Sequence, residues 1–266
     1  MRGWFLPLAV VLGFVFLYAP IVSLVVFSFN DSRLVTVWGG VSTRWYGELL
    51  RDRQIINAAW ISLQVAFYSA TLATIIGTLG AFVLTRFSKF TGRLVLTAMI
   101  TAPLVMPEVI TGLSLLLLFV SMEQMVGWPA GRGMPTVVIA HTTFCAAFVA
   151  VIAQSRLRSM DDSLEEAARD LGAGPVRVFF DVTLPVIAPA LVAGWLLAFT
   201  LSLDDLVIAS FVSGPGASTL PMVIFSKIRL GVSPDVNALA TIIIGFVLIA
   251  VVIAGWLMRR AMRKGL

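Results

Sequence analysis

The chain has 266 residues, of which 59% are hydrophobic and 12% charged, and its mean hydropathy is +0.99. This composition excludes an ordinary soluble domain and predicts an integral membrane protein. The formal net charge of +5 does not indicate nucleic-acid binding, because the basic residues stand at the ends of apolar segments rather than on one domain. A single cysteine, Cys145, excludes an intrachain disulfide and offers no metal cluster, so it is expected to pack.

Apolar runs long enough to cross a hydrocarbon core, which takes about 20 helical residues, predict an all-α protein with six transmembrane helices. A signal peptide is the alternative for the first run, but that run is longer than a signal's apolar core and no small-x-small cleavage site closes it. The third run is interrupted early by Pro103 and Pro107. The six predicted spans are residues 4–29, 58–85, 94–120, 135–153, 187–212 and 239–258, and together they form a single transmembrane domain, 1–266.

The polar segment between the first two spans carries Trp38, Trp45 and Tyr46. Aromatic rings favour the headgroup boundary, so we expect a helix lying at the membrane surface, with a partner-docking patch as the alternative. Placing the N-terminus in the cytoplasm puts most of the 19 lysines and arginines on the cytoplasmic side. This bias predicts that both termini and the loop 156–186 are cytoplasmic.

That loop contains the most polar stretch of the chain, residues 163–185, and its residues predict two short helices that meet at a bend. Ser163 and Glu166 have the spacing of a capping box, and Glu165 and Arg169 the spacing of a helical ion pair. Gly172 is expected to end the first helix, and a Gly-Pro pair at 174–175 to begin the second. One face of the first helix forms an apolar stripe of Leu164, Ala167, Ala168 and Leu171.

Glu166-Ala167-Ala168, then three residues, Gly172, nine residues and Val182-Thr183-Leu184-Pro185 form a specific pattern. The pattern resembles the EAA signature of ABC importer permeases, with valine in place of isoleucine. The resemblance implies a type I importer permease fold in which 156–186 is a coupling loop that docks into a separate ATPase subunit; the alternative is a loop helix that packs on its own protein. The coupling residues that it implies are Ser163, Glu166, Ala167, Ala168, Gly172, Leu184 and Pro185.

Three carboxylates lie within predicted spans, Glu108, Asp204 and Asp205, with no lysine or arginine in a span to pair them. A charge at the membrane centre costs on the order of 2.5 to 3.5 kcal/mol, so such residues usually face a water-filled path. A cation at about 4 Å returns on the order of 4 kcal/mol at an effective dielectric near 20, so we expect a cationic solute. The alternatives are a buried, protonated Glu108 and, for the three acids together, a proton relay.

Helix geometry and nearby aromatic residues refine this expectation. Adjacent helical positions point about 100° apart, so only one of the two aspartates faces the path squarely and the other is available to a neighbouring span. Trp195 and Phe211 are near enough along the chain to stack on a cation, or else simply to pack. His141, the single histidine, has no neighbouring ligand set and is expected to be a packing residue. The chain has no G-x4-G-K-[ST] phosphate loop, so energy from ATP must come through a partner.

Further stretches resemble the polyamine branch of the binding-protein-dependent permeases: residues 27–30, 44–46, 102–108, 201–215 and 219–221. The resemblance implies a putrescine permease, with spermidine or another solute as alternatives, in the bacterial inner membrane. It also implies a second homologous permease subunit, an ATPase dimer that binds ATP and Mg²⁺, and a periplasmic polyamine-binding protein. No cofactor is expected in this chain. The rivals from other classes are a proton-coupled secondary carrier and a membrane scaffold.

Overall fold

The computed structural model describes residues 4–34, 37–87, 89–230 and 234–264, with side chains described as far as residue 249 except at residue 230. This part of the chain is almost entirely helical, as predicted. The β-structure in this part of the chain consists of one isolated antiparallel bridge between Asn30 and Val41. The helices are α1 Phe5–Phe27, α2 Arg44–Leu49, α3 Arg53–Arg86, α4 Arg93–Val105, α5 Glu108–Val126, α6 Met134–Ser159, α7 Ser163–Asp170, α8 Pro175–Val178, α9 Leu184–Asp204, α10 Val207–Val212, α11 Leu220–Leu230 and α12 Pro234–Lys264.

Five helical segments in the described chain are long and apolar enough to cross a membrane: Phe5–Phe27, Arg53–Arg86, Glu108–Val126, Met134–Ser159 and Pro175–Asp204. The first two and the fourth match predicted spans. The predicted sixth span lies in α12, whose described side chains end before the span does. The all-α membrane architecture is therefore confirmed, and the count of six spans stays a prediction. Arg2 and the side chains of the C-terminal bases, which entered the charge count, lie outside the described residues.

Two predicted spans differ from the observed helices. The run 94–120 is divided into α4 and α5, because Met106 and Pro107 are extended; Pro103 lies inside α4 without ending it. The run 187–212 is not one helix. Its helix begins earlier, passes through a π-helical turn at Phe179–Thr183, and ends at Asp204, where Asp205 becomes extended before α10. Asp204 and Asp205 were predicted to be adjacent positions on one helix. That prediction is wrong, because the helix ends between them.

The chain divides into two compact units, and the smaller one contains residues 1–56 and 223–266. Its polar segment is organised around Asn30, whose side-chain oxygen accepts the N–H of Gly39 at 2.8 Å and whose amide donates to the carbonyl of Val37 at 2.7 Å. Trp45 is buried and donates its indole N–H to the carbonyl of Asn30 at 2.6 Å. Trp45 is thus buried by its own chain rather than exposed, whereas Trp38 is 48% exposed. The position of α2 at the membrane surface stays a prediction.

The larger unit, residues 57–222, is built around α6, which is buried over a larger share of its length than the other described helices of this unit that could span a membrane. α6 packs against α4, α9 and α10, and α10 also packs against α5. Small residues permit these close approaches, which is how transmembrane helices usually associate. Cys145 is fully buried in this core, as expected, and lies 3.5 Å from the carbonyl oxygen of Ala198. The packing holds both ends of α9 in place.

Candidate coupling surface and solute path

The first helix of the 163–185 stretch begins at Ser163, but the predicted capping box is wrong. Asp162 occupies the N-cap position and makes no side-chain cap bond. The N–H of Ser163 is instead accepted by the carboxylate of Asp161 at 3.0 Å. That backbone hydrogen bond, together with the Ser163 hydroxyl, lowers the pKa of Asp161. Because Asp161 already satisfies this free N–H, the helix starts one residue earlier than a serine cap would allow.

The bend after this helix has the geometry predicted for it. Gly172 has a φ of +85°, the left-handed conformation that glycine adopts without steric cost. Its N–H donates to the carbonyl of Arg169 at 2.8 Å, and the N–H of Ala173 donates to the carbonyl of Ala168 at 3.0 Å. This pair of bonds is a Schellman motif. Gly174 then caps α8, with Pro175 at its first position, as predicted.

The apolar stripe of α7 faces away from the rest of the described chain. Leu171 is 89% exposed and Leu164 is 46% exposed, while Ala167 is exposed and Ala168 half-buried. Glu166 is exposed as well. An exposed leucine pair on a short polar helix leaves an apolar surface that another protein can cover.

Glu165 holds α7 to the larger unit, a role that the sequence analysis missed. Its side chain is 6% exposed, and one carboxylate oxygen accepts the Nε and Nη2 groups of Arg86 at 3.1 and 3.0 Å. The same oxygen accepts the hydroxyl of Thr183 at 2.7 Å. Arg86 also reaches Asp162 at 2.6 Å, and the predicted pair of Glu165 with Arg169 is present at 3.4 Å. The carboxylate thus joins α7 to the end of α3 and to the π-helical turn.

The chain returns to the membrane through a continuous helical segment rather than a loop. Residues 175–183 form α8 and the π-helical turn, and α9 begins at Leu184 with Pro185 in its first turn. Leu184 is half-buried and Pro185 is exposed. A cavity of about 520 Å³ lies between this segment, the end of α3 and α7, and Phe82, Phe179 and Phe180 line it. α7 therefore contacts this segment through the bond from Thr183 to Glu165, and the segment itself continues into α9.

Glu108 and Asp204 are the two exposed acids among the predicted path residues. Glu108 is the first residue of α5, directly after the break at Met106 and Pro107. Asp204 is the last residue of α9, directly before the break at Asp205. Both carboxylates therefore stand where a transmembrane helix is interrupted, and neither is buried by the described chain. Broken helices of this kind are tolerated where they line a cavity.

Asp205 is buried and bonded within the chain. One oxygen accepts the N–H of Ala209 at 2.8 Å, and the other lies 3.4 Å from the N–H of Ile208, so the carboxylate caps α10. His141 is also buried; its Nδ1 lies 2.7 Å from the hydroxyl of Ser202. Its Nε2 lies 3.1 Å from Asp205 but is not aligned for a hydrogen bond. His141 is therefore buried, as a packing residue would be, but it has an acid, Asp205, beside its ring.

The two aromatic residues predicted beside the path both make contacts within the larger unit. The indole N–H of Trp195 donates to the hydroxyl of Thr71 at 3.1 Å, and its ring stacks on Phe199 with centroids 5.3 Å apart. Phe211 packs against Gly112 of α5, where an added Cβ would lie 2.7 Å from the phenyl ring. Each ring is half-buried, so one part of it packs and the other part is accessible.

Comparison with known proteins places this arrangement in a family. A family model described as "Binding-protein-dependent transport system inner membrane component" matches residues 73–264. The putrescine transport system permease protein PotI of Escherichia coli strain K12 is 63% identical over 253 residues, which cover 95% of this chain and 90% of that protein. The spermidine/putrescine transport system permease protein PotC of the same strain is 41% identical over all 266 residues and 96% of its own length.

Solved structures share the fold at low sequence identity. A chain from a bacterial ABC transporter that imports the acidic polysaccharide alginate matches with a TM-score of 0.75 and 20% identity, covering 97% of this chain and 96% of that one. A chain of the MetNI methionine ABC transporter matches with a TM-score of 0.62, covering 83% and 99%. The fold class implied by the EAA-like pattern is therefore confirmed.

Proposed function

Because this chain belongs to the family of binding-protein-dependent transport system inner membrane components, we propose that it is the permease subunit of an ATP-driven polyamine importer. Putrescine is the favoured solute and spermidine the alternative. The observation that carries this choice is the 63% identity to a putrescine permease over almost the full length of both chains. The relatives at 41% identity, which are named for both polyamines, support the same class of solute.

ATP is bound and hydrolysed, with Mg²⁺, by a separate dimer of ATPase subunits, and this chain receives the resulting movement. The exposed stripe around Leu164 and Leu171 docks into the ATPase, with Glu166, Ala167 and Ala168 at the contact. Glu165 and Arg86 transmit the movement to α3, and the helical segment from Pro175 through Leu184 and Pro185 transmits it to α9. A short element with such anchors passes on rigid-body motion, because it does not yield locally.

Glu108 and Asp204 contribute negative charge to the path of the diammonium solute. Support comes from their exposure at two helix breaks, α4–α5 and α9–α10. Asp205 acts by fixing the second break, because its carboxylate caps α10 and so orients the end of α9. The accessible parts of Trp195 and Phe211 face methylene or ammonium groups of the solute.

The working importer also contains a second homologous permease and a periplasmic polyamine-binding protein. It lies in the bacterial inner membrane with both ends of this chain in the cytoplasm, which puts α7 on the side where ATP is. Nucleotide, binding protein and solute each favour one of two conformations, so the path opens alternately to the two sides. This chain by itself has no phosphate-binding loop and needs the ATPase for net transport.

Uptake of labelled putrescine into proteoliposomes that contain all subunits tests the solute and the energy source. We expect uptake that requires ATP and the binding protein and survives a protonophore. Uptake that survives ATPase inhibition and collapses with the protonophore would instead identify a proton-coupled carrier. Uptake of a different solute with putrescine excluded would overturn the polyamine assignment.

Substitutions in the same vesicles test the proposed residues. Gly172→Arg and Glu166→Lys are expected to abolish association with the ATPase and uptake, and intact association and uptake in both would refute the coupling role. At saturating binding protein, Asp204→Asn is expected to slow uptake at least tenfold without loss of folded protein. If the rates of Asp204→Asn and Glu108→Gln both equal the wild-type rate, these carboxylates are not in the path.

A further inference from the structure

Two carboxylates are buried in the described part of the chain, Glu165 and Asp205, and they differ in the groups that compensate their charge. Glu165 has the guanidinium of Arg86 at 3.0 Å. No lysine or arginine among the described residues forms an ion pair with Asp205, whose side chain is 5% exposed. Burial of a carboxylate without a partner is costly. The ionisable group beside Asp205 is His141, whose Nε2 lies 3.1 Å from Oδ2 of the carboxylate.

The surroundings of the imidazole indicate that Nε2 carries a hydrogen. The other ring nitrogen, Nδ1, lies 2.7 Å from the hydroxyl of Ser202, which is able either to donate or to accept. If Nε2 had no hydrogen, two negatively polarised acceptor atoms would lie 3.1 Å apart in a buried site and repel each other. An N–H group instead places positive charge beside Asp205. This contact is electrostatic, because the N–H is not in line with the oxygen and Nε2 has no hydrogen-bond partner among the described residues.

His141 connects α6 to both sides of the break at the end of α9. Ser202 lies in the last turn of α9, and Asp205 is the extended residue that follows this helix. One ring therefore contacts a residue before the break through Nδ1 and a residue at the break through Nε2. Because α6 packs against both α9 and α10, it is a firm support for these two contacts.

The break determines where Asp204, one of the two exposed acids of the proposed path, is placed. Asp204 is the last residue of α9 and directly precedes the break. Asp205 fixes the next element, because its Oδ2 accepts the N–H of Ala209 at 2.8 Å and so caps α10. A buried carboxylate that loses the N–H group beside it gains free energy by moving towards water. Such a movement would release the cap and shift Asp204 with it.

We propose that His141 is a positioning residue of the solute path: its Nε2–H group stabilises the charge of Asp205, and Asp205 thereby keeps α9 ending at Asp204. The role in the path rests on the proposed function, whereas the pairing of the two side chains does not. His141 does not touch the solute in this arrangement, because its side chain is 1% exposed.

Two amide substitutions separate the two ring nitrogens. The amide nitrogen of glutamine reaches about as far as Nε2, and that of asparagine about as far as Nδ1. We expect putrescine uptake per folded importer, at saturating binding protein, to stay within about twofold of wild type in His141→Gln and to fall about fivefold in His141→Asn. Equal rates in the two variants, or the reverse order, would mean that the ring acts through Ser202 or by packing alone, and would overturn the proposal.

Thr142→Val is the matched control on the same helix. Thr142 is buried, and its hydroxyl has no hydrogen-bond partner in the part of the chain that the structure describes. Uptake by this variant should equal that of wild type. A loss as large as that of His141→Asn would show that any change to a buried polar group on α6 slows transport, which would refute a specific role of His141.

Combination with Asp205→Asn tests whether His141 acts through that carboxylate. In the Asp205→Asn background, His141→Asn should cause no further loss of uptake, because the charge that the imidazole stabilised is gone. Additive losses would contradict the proposal. The free energies of unfolding of the same four proteins in detergent should also be non-additive. This second cycle decides the pairing even if the wild-type importer takes up no putrescine, a result that would instead overturn the proposed function.

The wild-type chain allows one further test that needs no substitution. His141 is the only histidine in the sequence, so ¹⁵N-histidine labelling of the full chain, purified through a tag without histidine, gives the signals of one ring. Solid-state NMR in bilayers should show a hydrogen on Nε2. An Nε2 signal without a hydrogen would refute the proposal, whatever the variants do.

Discussion

Glu165 and Glu166 are adjacent acids with opposite surroundings. Glu166 belongs to the EAA-like pattern and is exposed, whereas the side chain of Glu165 is 6% exposed and bonded to Arg86 and Thr183. On an α-helix, neighbouring positions differ by about 100°, so one residue faces the membrane domain and the next faces outward. The outward residue is free to contact another protein, and the inward residue fixes the helix. Asp204 and Asp205 also have opposite surroundings, but for a different reason: α9 ends between them, and Asp204 is exposed while the extended Asp205 is buried.

Glu165→Gln is expected to lower the free energy of unfolding by about 3 kcal/mol, because the largely buried guanidinium of Arg86 loses its buried counter-charge and keeps only the exposed Asp162. Glu166→Gln, the same change one residue later, should leave stability unchanged, because Glu166 is exposed. Reversible unfolding of the purified chain in mixed micelles measures both values. Equal stabilities of the two variants would show that the Glu165 network does not anchor α7.

At the scale of single elements, glycines determine how helices end and how closely they pack. Gly172 ends α7 in a left-handed conformation, and a Cβ there would meet nothing within 4 Å. At Gly77 on α3, by contrast, there is no room for a side chain, since a Cβ would lie 2.7 Å from the carbonyl oxygen of Ala146 on α6. The first glycine is required by backbone geometry and the second by helix packing.

Gly172→Ser should destabilise the chain by about 1 to 2 kcal/mol, because a side chain is unfavourable in the left-handed region. Gly174→Ser is the control: its φ is −68°, its Cβ would also meet nothing within 4 Å, and serine is a good helix N-cap. Thermal unfolding of both variants in detergent measures the difference. A Gly174→Ser variant as unstable as Gly172→Ser would contradict a conformational origin.

Gly77→Ala should cost about 1 to 3 kcal/mol, since the new methyl group presses on the backbone of α6 and that helix has to shift. Gly80→Ala, one turn later, should be neutral or slightly stabilising. Its methyl group meets the terminal carbon of Ile100, a flexible side chain that can rotate, and alanine is the better helix former. Melting temperatures of the two variants should therefore shift differently, and a shared shift would rule out the steric explanation.

At the scale of the whole molecule, many large hydrophobic side chains are exposed, and a bilayer or another subunit can cover them. None of the residues in α1 is buried by the chain itself. Within the smaller unit, ion pairs between side chains also hold helices together. Lys227 donates to Asp52 at 2.9 Å and to Asp235 at 2.7 Å, which ties α11 to the beginnings of α3 and α12.

The contribution of this ion cluster to stability should be constant between about pH 5 and 9. Burial raises the pKa of Asp52, but hydrogen bonds from Lys227 and from the N–H groups of Ile55 and Gln54 outweigh it and lower that pKa. Burial lowers the pKa of Lys227, but Asp235 and Asp52 outweigh it and raise that pKa. Stability from Asp52 is lost only as pH falls below about 4, and stability from Lys227 only as pH rises above about 10.4.

Lys227→Met should therefore lower the free energy of unfolding by about 2 kcal/mol, and by the same amount at pH 5, 7 and 9. Arg229→Met, on the same helix, is the control, because Arg229 is exposed and stacks only on Phe225 among its described contacts. Unfolding curves at the three pH values give the comparison. A loss that changes between pH 5 and 9 would mean that another titrating group is involved.

The sequence by itself determined the membrane class, most helix positions, the break before Glu108 and the bend at Gly172. These features depend on composition, hydrophobic runs and residues such as proline and glycine, whose effects are local. The EAA-like spacing also identified α7, because that pattern lies within one short stretch. The sequence did not determine where α9 ends, because no proline or glycine near Asp204 and Asp205 indicates the end of a helix.

Tertiary structure decided which of the polar residues face inward. Arg86 and Glu165 are 79 positions apart, and His141 and Asp205 are 64 apart, so no spacing rule along the chain relates them. Trp45 was expected at the membrane boundary but closes a loop on Asn30, because a backbone carbonyl lies within reach only in the folded chain. Burial and pairing of polar groups depend on how helices pack against one another, and that packing is a property of the whole fold rather than of any local pattern.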